Sequence, residues 1–306
     1  MAAEKNSSFF IIRMFFTKVR KYRINTDKGF FIKNVTLRKA LRPIIKLSHF
    51  HLKNKMLMKN HFSLFALFAS FLILFSGCDN MTVSTGDGSY KVTGNGKLSS
   101  EDRELASFDQ IDMQGVFNVV LSQGDKQSVK VETDENILPM IITTVENNVL
   151  TVKMKDSTTI NKMKKITVSI TVANLSKITS EGVGSLKSSG VLKLKDLELV
   201  SKGVGASELN LSLDKLTVHS EIVGALILSG TAKEVIINHE GLGLIQAFDL
   251  KAEKLSLHSD GIGAAEVYAS KELNIKSSGL GGVQYKGNPQ IKNIKNEGLC
   301  KIEPAD

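Results

Sequence analysis

The chain has 306 residues, 42% of them hydrophobic, with two cysteines, no tryptophan and a formal net charge of +9. A charge of that sign would suggest nucleic acid or an anionic membrane as partner, but it is confined to one end: residues 1–55 hold 14 Lys and Arg against Glu4 and Asp27, whereas residues 79–306 hold 25 against 29 acids. The bulk of the chain is therefore mildly acidic, which argues against a nucleic-acid partner, and two cysteines are too few for a disulfide framework.

In chain order, the first informative element is a secretion signal. Met58-Lys-Asn-His61 is a short polar start, and Phe62 to Phe75 is an apolar run of 14 residues interrupted only by Ser63 and Ser70. A run of this length is too short for a membrane-spanning helix, which takes about 20 residues, and fits a signal-peptide core. It ends in Leu74-Phe-Ser-Gly-Cys78, which resembles the bacterial lipobox, with Phe75 where Leu is usual. That resemblance implies a signal peptide over 56–77, cleavage between Gly77 and Cys78, and a lipid on the Cys78 sulfur that anchors the chain to a membrane. The basic stretch 1–55 is then expected to be an over-extended start without fold, translation beginning at Met56 or Met58. Residues 78–96, rich in Gly, Ser, Thr and Asn, are expected to form a flexible tether, ahead of one domain over 97–306.

The first part of that domain reads as strands. Ile111, Met113, Val116, Val119 and Leu121 lie in one run, Gln123–Lys126 supplies a turn, and Val129–Thr133, Val149–Met154 and Ile166–Val172 are further β-branched runs of period two. Leu138–Ile142 is the one stretch with a case for a short helix.

From residue 175 to 302 a motif recurs seven times: Ser180-Glu-Gly-Val-Gly184, Ser201-Lys-Gly-Val-Gly205, Ser220-Glu-Ile-Val-Gly224, His239-Glu-Gly-Leu-Gly243, Ser259-Asp-Gly-Ile-Gly263, Ser277-Ser-Gly-Leu-Gly281 and Asn296-Glu-Gly-Leu-Cys300. The steps are 21, 19, 19, 20, 18 and 19 residues, the period of a solenoid with one coil per repeat. Aligned on the first Gly, the position four before it is apolar in all seven repeats (Ile178, Leu199, Val218, Ile237, Leu257, Ile275, Ile294), and the position six before it is apolar in the middle ones. Residues two apart share a face, so these columns and the Ser180-type column point inward, and the hydroxyls are expected to form a hydrogen-bonded ladder. The apolar residue after the Gly breaks the expected alternation, which suggests a glycine-permitted bend. The fold class that follows is all-β: a parallel β-helix-like solenoid of 18–21-residue coils preceded by a strand-rich N-terminal part.

Phe108–Val119, Gln123-Gly124, Val131–Asn136, Val149–Val152, Val172–Ile178 and the recurring Ser-x-Gly-Val-Gly together resemble the "head GIN domain" putative auto-transporter adhesin family, over about residues 97–306. The resemblance implies a β-helix-like fold at the cell envelope of Bacteroidetes-type bacteria and no enzymatic activity.

The residues offer little for catalysis. After Cys78 there is a single arginine, Arg103, and six aromatics, a poor endowment for cutting acidic polysaccharide. His219 and His258 fall three before the Gly, on the outer face, and His239 two before it, inside, so they form no metal column. No helix follows the glycines to make a phosphate loop. Glu221, Glu240 and Asp260, immediately before the Gly in three consecutive repeats, form an outer acidic stripe, a candidate for Ca²⁺ set against a plain solvated face. Cys300, at the second Gly position of the last repeat, is expected to be a packed thiol. The reading is a non-catalytic envelope lipoprotein, anchored at the outer membrane, that binds surface glycan or protein in the manner of an adhesin. The alternatives are a structural component that self-assembles into homo-oligomers and, last, a carbohydrate-active enzyme.

Overall fold

A computed structural model describes residues 30–31, 81–85 and 90–305. Within them the protein is all-β. The strands are β1 (Phe30–Phe31), β2 (Met81–Thr85), β3 (Tyr90–Thr93), β4 (Leu98–Arg103), β5 (Gln110–Gln123), β6 (Ser128–Asp134), β7 (Ile141–Glu146), β8 (Val149–Met154), β9 (Thr158–Met163) and β10 (Thr167–Val172). The repeats supply β11 (Lys177–Lys193), β12 (Asp196–His239), β13 (Leu242–Ser259), β14 (Ile262–Ser277), β15 (Leu280–Lys286), β16 (Ile291–Asn296) and β17 (Leu299–Pro304). The short helix considered at Leu138–Ile142 is one 3-10 turn, Leu138–Met140, after which Ile141 opens β7.

The larger sheet runs β17-β15-β14-β13-β12-β11-β5-β10-β6-β4 and is open, with β16 beside β14, and β8 joining β5 to β7. Pairing between repeats is parallel and in the register of the motif: Gly182 faces Gly203, Gly243 faces Gly263, and Gly281 faces Cys300. The stack has one more row than the motif count suggests. In β5, Gly115 lies against Gly182 and Phe117 against Gly184, with Ile111 and Met113 at the inward positions four and two before the Gly. β6 to β10 are inserted between this row and the next, and β8 and β10 lie parallel along the two halves of β5.

The inward columns are where the period puts them. Ile178, Leu199, Val218 and Ile237 are 0% exposed, and Leu257 and Ile275 are 2% exposed. Ile294 departs from its column at 41%, with no further row beside β16 among the described residues. Leu199, Ser201, Gly203, Ser207 and Leu209 are buried in a single unbroken strand, so the inward parity carries through that motif. The apolar residue after the Gly is half-covered at Val204 and Val223, packs on the edge of the core at Val183 and is buried at Val116 and Leu242. The chain does leave the strand just before the apolar residue in the last four motifs, at Glu240-Gly241, Asp260-Gly261, Ser278-Gly279 and Glu297-Gly298.

Residues 81–85 and 90–93, expected within the tether, are paired. β9 has β2 antiparallel on one side and β3 parallel on the other, with Val83 against Ile160 and both almost fully buried. The Gly- and Asn-rich surroundings concealed a β-branched Thr-Val-Ser-Thr core. The Asp134 carboxylate fastens the next turn, accepting the Gly96 N–H at 2.7 Å and the Lys164 N–H at 2.6 Å. Phe30–Phe31, inside the stretch expected to carry no fold, pairs with Ser84–Thr85. The remainder of 1–55, the signal segment 56–77 and Cys78 lie outside the described residues.

The second glycine of each motif sets the spacing. Gly205, Gly224, Gly243 and Gly263 have φ between 149° and 158°, a region open essentially to glycine alone. A Cβ at any of them would lie 1.8–1.9 Å from the carbonyl oxygen of the glycine one row earlier. We expect Gly243→Ala to destabilise the domain by at least about 3 kcal/mol, while Gly190→Ala, whose Cβ would meet nothing within 4 Å, leaves the thermal melt nearly unchanged. Comparable melting of the two variants would disprove a packing role for the column.

Candidate functional site

Glu221, Glu240, Asp260 and the three histidines sit on the rows that the period assigns to them, but among the described residues the rows do not assemble a metal site. Glu221 pairs with Lys202 at 3.2 Å across neighbouring rows. Asp260 accepts a hydrogen bond from Ser278 and meets His258 Nε2 at 2.9 Å, and these two contacts hold its carboxyl below the usual range, the Ser278 bond contributing most. Among the described residues no three acidic, His or Cys side chains come together in a way that would hold a metal ion. The acidic stripe is thus divided by its own neighbours: Lys202 takes one end and Ser278 and His258 the other.

The three histidines separate as their positions demand. His219 is exposed and His258 half-exposed, whereas His239 is 4% exposed. The ladder expected of the inward hydroxyls reduces, among the described residues, to a bond of 3.2 Å between His239 Nδ1 and Ser220 Oγ. The His239 ring fills the space over Gly241 and Gly261: a Cβ on Gly261 would lie 2.9 Å from Nε2. Nε2 itself is buried without a partner. Burial pushes the imidazole below its ordinary pKa, outweighing the opposing effect of Ser220.

The outer face offers a more suitable surface for recognition. Two outward columns, three and five before the Gly, flank a trough of about 620 Å³ across the last four rows, lined by Ile236, Asn238, Ser256, His258, Asn274, Lys276, Lys292, Asn293, Ile294 and Lys295. Its floor is a run of amides and a hydroxyl: Asn293 donates to Asn274 at 2.8 Å, and Asn274 donates to Ser256 at 3.5 Å and to Glu272 at 3.0 Å. Its rim is cationic but partly neutralised, since Lys295 and Lys276 reach Glu297 at 2.6 and 3.7 Å. Those two lysines keep the Glu297 carboxyl ionised below its usual range, the Lys295 hydrogen bond first. The motif alignment shows these columns to be outward, but the width of the trough depends on the tertiary spacing of the rows.

Aromatic stacking is limited. Phe248 and Tyr268 lie on the outer side of β13 and β14, but Lys286 sits 5.0 Å over the first ring and Lys251 4.5 Å over the second, so lysine heads already cover both faces. Cys300 is half-buried against the edge of the core, a packed thiol as expected.

The family model described as "Putative auto-transporter adhesin, head GIN domain" matches residues 107–289, more than half of the chain. The chain belongs to this family. No curated protein matches it. Among solved structures it is similar to a putative adhesin of Bacteroides fragilis NCTC 9343, at 29% identity and a TM-score of 0.68, over 70% of this chain and all of that one. It is also similar to a putative lipid binding protein of Parabacteroides distasonis ATCC 8503, at 26% identity and a TM-score of 0.57 over 71% of this chain and all of that one. A putative adhesin of Parabacteroides merdae ATCC 43184, at 21% identity and a TM-score of 0.51 over 71% of this chain and all of that one, shares the fold. The family and two of these three neighbours are described as putative adhesins, and none of the descriptions names an enzyme.

The buried histidine generates a pH dependence. Its folded-state pKa is below the unfolded value of 6.5, so the unfolded chain takes up a proton that the folded one refuses, and stability falls as pH drops below about 6.5. Between about pH 7 and pH 5 the native chain should lose more stability than His239→Ser, which restores the residue common to its column. Parallel denaturation curves for the two proteins across that range would disprove this assignment.

Proposed function

We propose that the protein is a lipid-anchored, non-catalytic binding module of the bacterial envelope whose rows wind as a β-helix-like solenoid, carrying an outer-face trough toward surface glycan or protein. The parallel register of 18–21 residues per row supports the winding, and membership of an adhesin-type family supports the class of activity. The observation that carries the reading is the amide-and-lysine trough: side chains able to donate and accept hydrogen bonds are ordered along the stack at the repeat spacing of about 4.8 Å. An extended polymer could register against such a row. The Cys78 lipid and the outer membrane supply the placement. The neighbour described as lipid binding raises a second ligand class, but the trough's amide floor suits a hydroxylated ligand better than an acyl chain.

Two experiments test this. On a glycan array the native chain should bind a defined subset of glycans, and Asn274→Ala/Asn293→Ala should weaken that binding about tenfold with little change in melting temperature. Binding that the double variant leaves intact removes the trough from the proposal, and a blank array removes glycan as the ligand. Separately, Cys78→Ser should move the protein from the membrane fraction to the soluble fraction; continued membrane retention would refute the lipid anchor.

A further inference from the structure

The residues that line the trough include three lysines and a histidine but no carboxylate. Among the described residues Lys276, Lys292 and Lys295 pair with one carboxylate between them, Glu297, which Lys295 and Lys276 share. Lys292 meets a phenol instead of an acid, donating to the Tyr285 hydroxyl at 3.3 Å. Other acids nearby are turned to their own neighbours: Glu272 lies 3.5 Å from Lys254, and Asp260 meets Ser278 and His258. The floor is of another kind. Asn293 donates to Asn274, and Asn274 spends its own N–H groups on Ser256 and Glu272. The Asn293 side-chain oxygen accepts no hydrogen bond among the described residues. Such an acceptor suits a hydroxyl and repels an anion, whereas the lysines suit an anion.

Resting on the trough as the recognition surface, we infer that its ligand is a glycan carrying an isolated acidic sugar. Sugar hydroxyls lie on the asparagine floor, and a carboxylate or sulfate sits among Lys276, Lys292 and Lys295, displacing Glu297. The displacement costs little, because Glu297 is 41% exposed and an exposed ion pair is worth about 1 kcal/mol at most. Lysine heads are point charges on flexible stems, so Lys276 and Lys295 turn from Glu297 to the ligand without moving the strands. A densely charged polyanion fits less well. Asp260 and Glu240 lie one and two rows from Lys276 along the same flank, and residues 79–306 are acidic as a whole. Beyond about 10 Å salt screens the lysines, so selectivity comes from contact and not from long-range steering. A neutral glycan gains the floor bonds and leaves the lysines with Glu297.

The test is a glycan array of matched pairs that share a backbone and differ by one acidic group, probed with the full chain carrying Cys78→Ser. Acidic members should bind about tenfold more tightly than their neutral partners, and the preference should shrink as salt is added. Pairs that differ by a carboxylate and pairs that differ by a sulfate separate the two sources of charge. Lys276→Gln/Lys295→Gln, at side chains 47% and 69% exposed, should abolish the preference. Glu297→Gln, which releases both lysines, should strengthen acidic binding about threefold, a gain that a damaged fold does not produce. Neutral glycans bound as tightly as acidic ones, a preference that survives the lysine variant, or weaker acidic binding by Glu297→Gln each overturns the inference. In those cases binding that Asn274→Ala/Asn293→Ala still weakens leaves the trough as the recognition surface. Binding indifferent to the asparagine and lysine variants alike, or a blank array, overturns both.

Discussion

Adjacent rows of this protein approach each other through bare backbone at one column, and the remaining architecture follows from that contact. From Gly184 to Gly281 the second motif glycine is spaced so that any side chain would penetrate the preceding carbonyl by far more than packing can absorb. With the column fixed, row n lies on row n−1 in the motif's register through the glycine segment, and the register shifts only beyond it, as between Lys187 and Val191 and between Ile227 and Ser229. The aliphatic columns are then superposed and fully desolvated, each methylene group contributing about 0.8 kcal/mol when buried. A slip by one residue would turn the aliphatic columns outward, so glycine spacing and hydrophobic periodicity enforce the same answer.

The same register determines what the outer surface can do. Lys177 and Glu198, Lys187 and Glu208, and Lys271 and Glu253 pair between neighbouring rows at 2.6–3.0 Å. Each exposed pair is worth about 1 kcal/mol at most, so these bonds align rows more than they stabilise them. They also account for the acidic stripe. Repulsion at one strand spacing is relieved because Lys202, Ser278 and His258 lie within reach of the acids. On the inner side, His239 replaces a serine and gains one bond to Ser220, leaving its other nitrogen buried in the space that Gly241 and Gly261 vacate.

Among the described residues the two ends of the stack differ: the inserted strands cover the first row only. The insertion from β6 to β10 folds back along β5 and buries its apolar face, with Val168, Ile170 and Leu150 at or near 0% exposure. Among the described residues no strand lies beyond β16 and β17, and Ile294 and Leu299, residue types their columns carry elsewhere, are exposed there. The trough runs into this same row, where Asn293, Ile294 and Lys295 of β16 line it.

Much of this was legible in the sequence. The period, the inward columns from Ile178 to Ile275, the outer positions of His219 and His258 and the packed Cys300 all follow from a two-residue alternation combined with a fixed repeat, which are local properties of the chain. The eighth row was less legible, because Phe117 replaces the second glycine and β6 to β10 separate Gly115 from Gly182, although Ile111 and Met113 already occupy the inward positions. Pairing of β2 and β3 with β9 was hidden by polar composition. Cover over Val183 and its equivalents, the partners of Glu221 and Asp260, and the trough depended on which row lies beside which. Apart from His258, two residues from Asp260, those depend on contacts between neighbouring rows, 18 or more residues apart, set by backbone spacing in three dimensions. The chain's own repeat determined the stack; only the folded stack decided which of its faces are satisfied and which are left open.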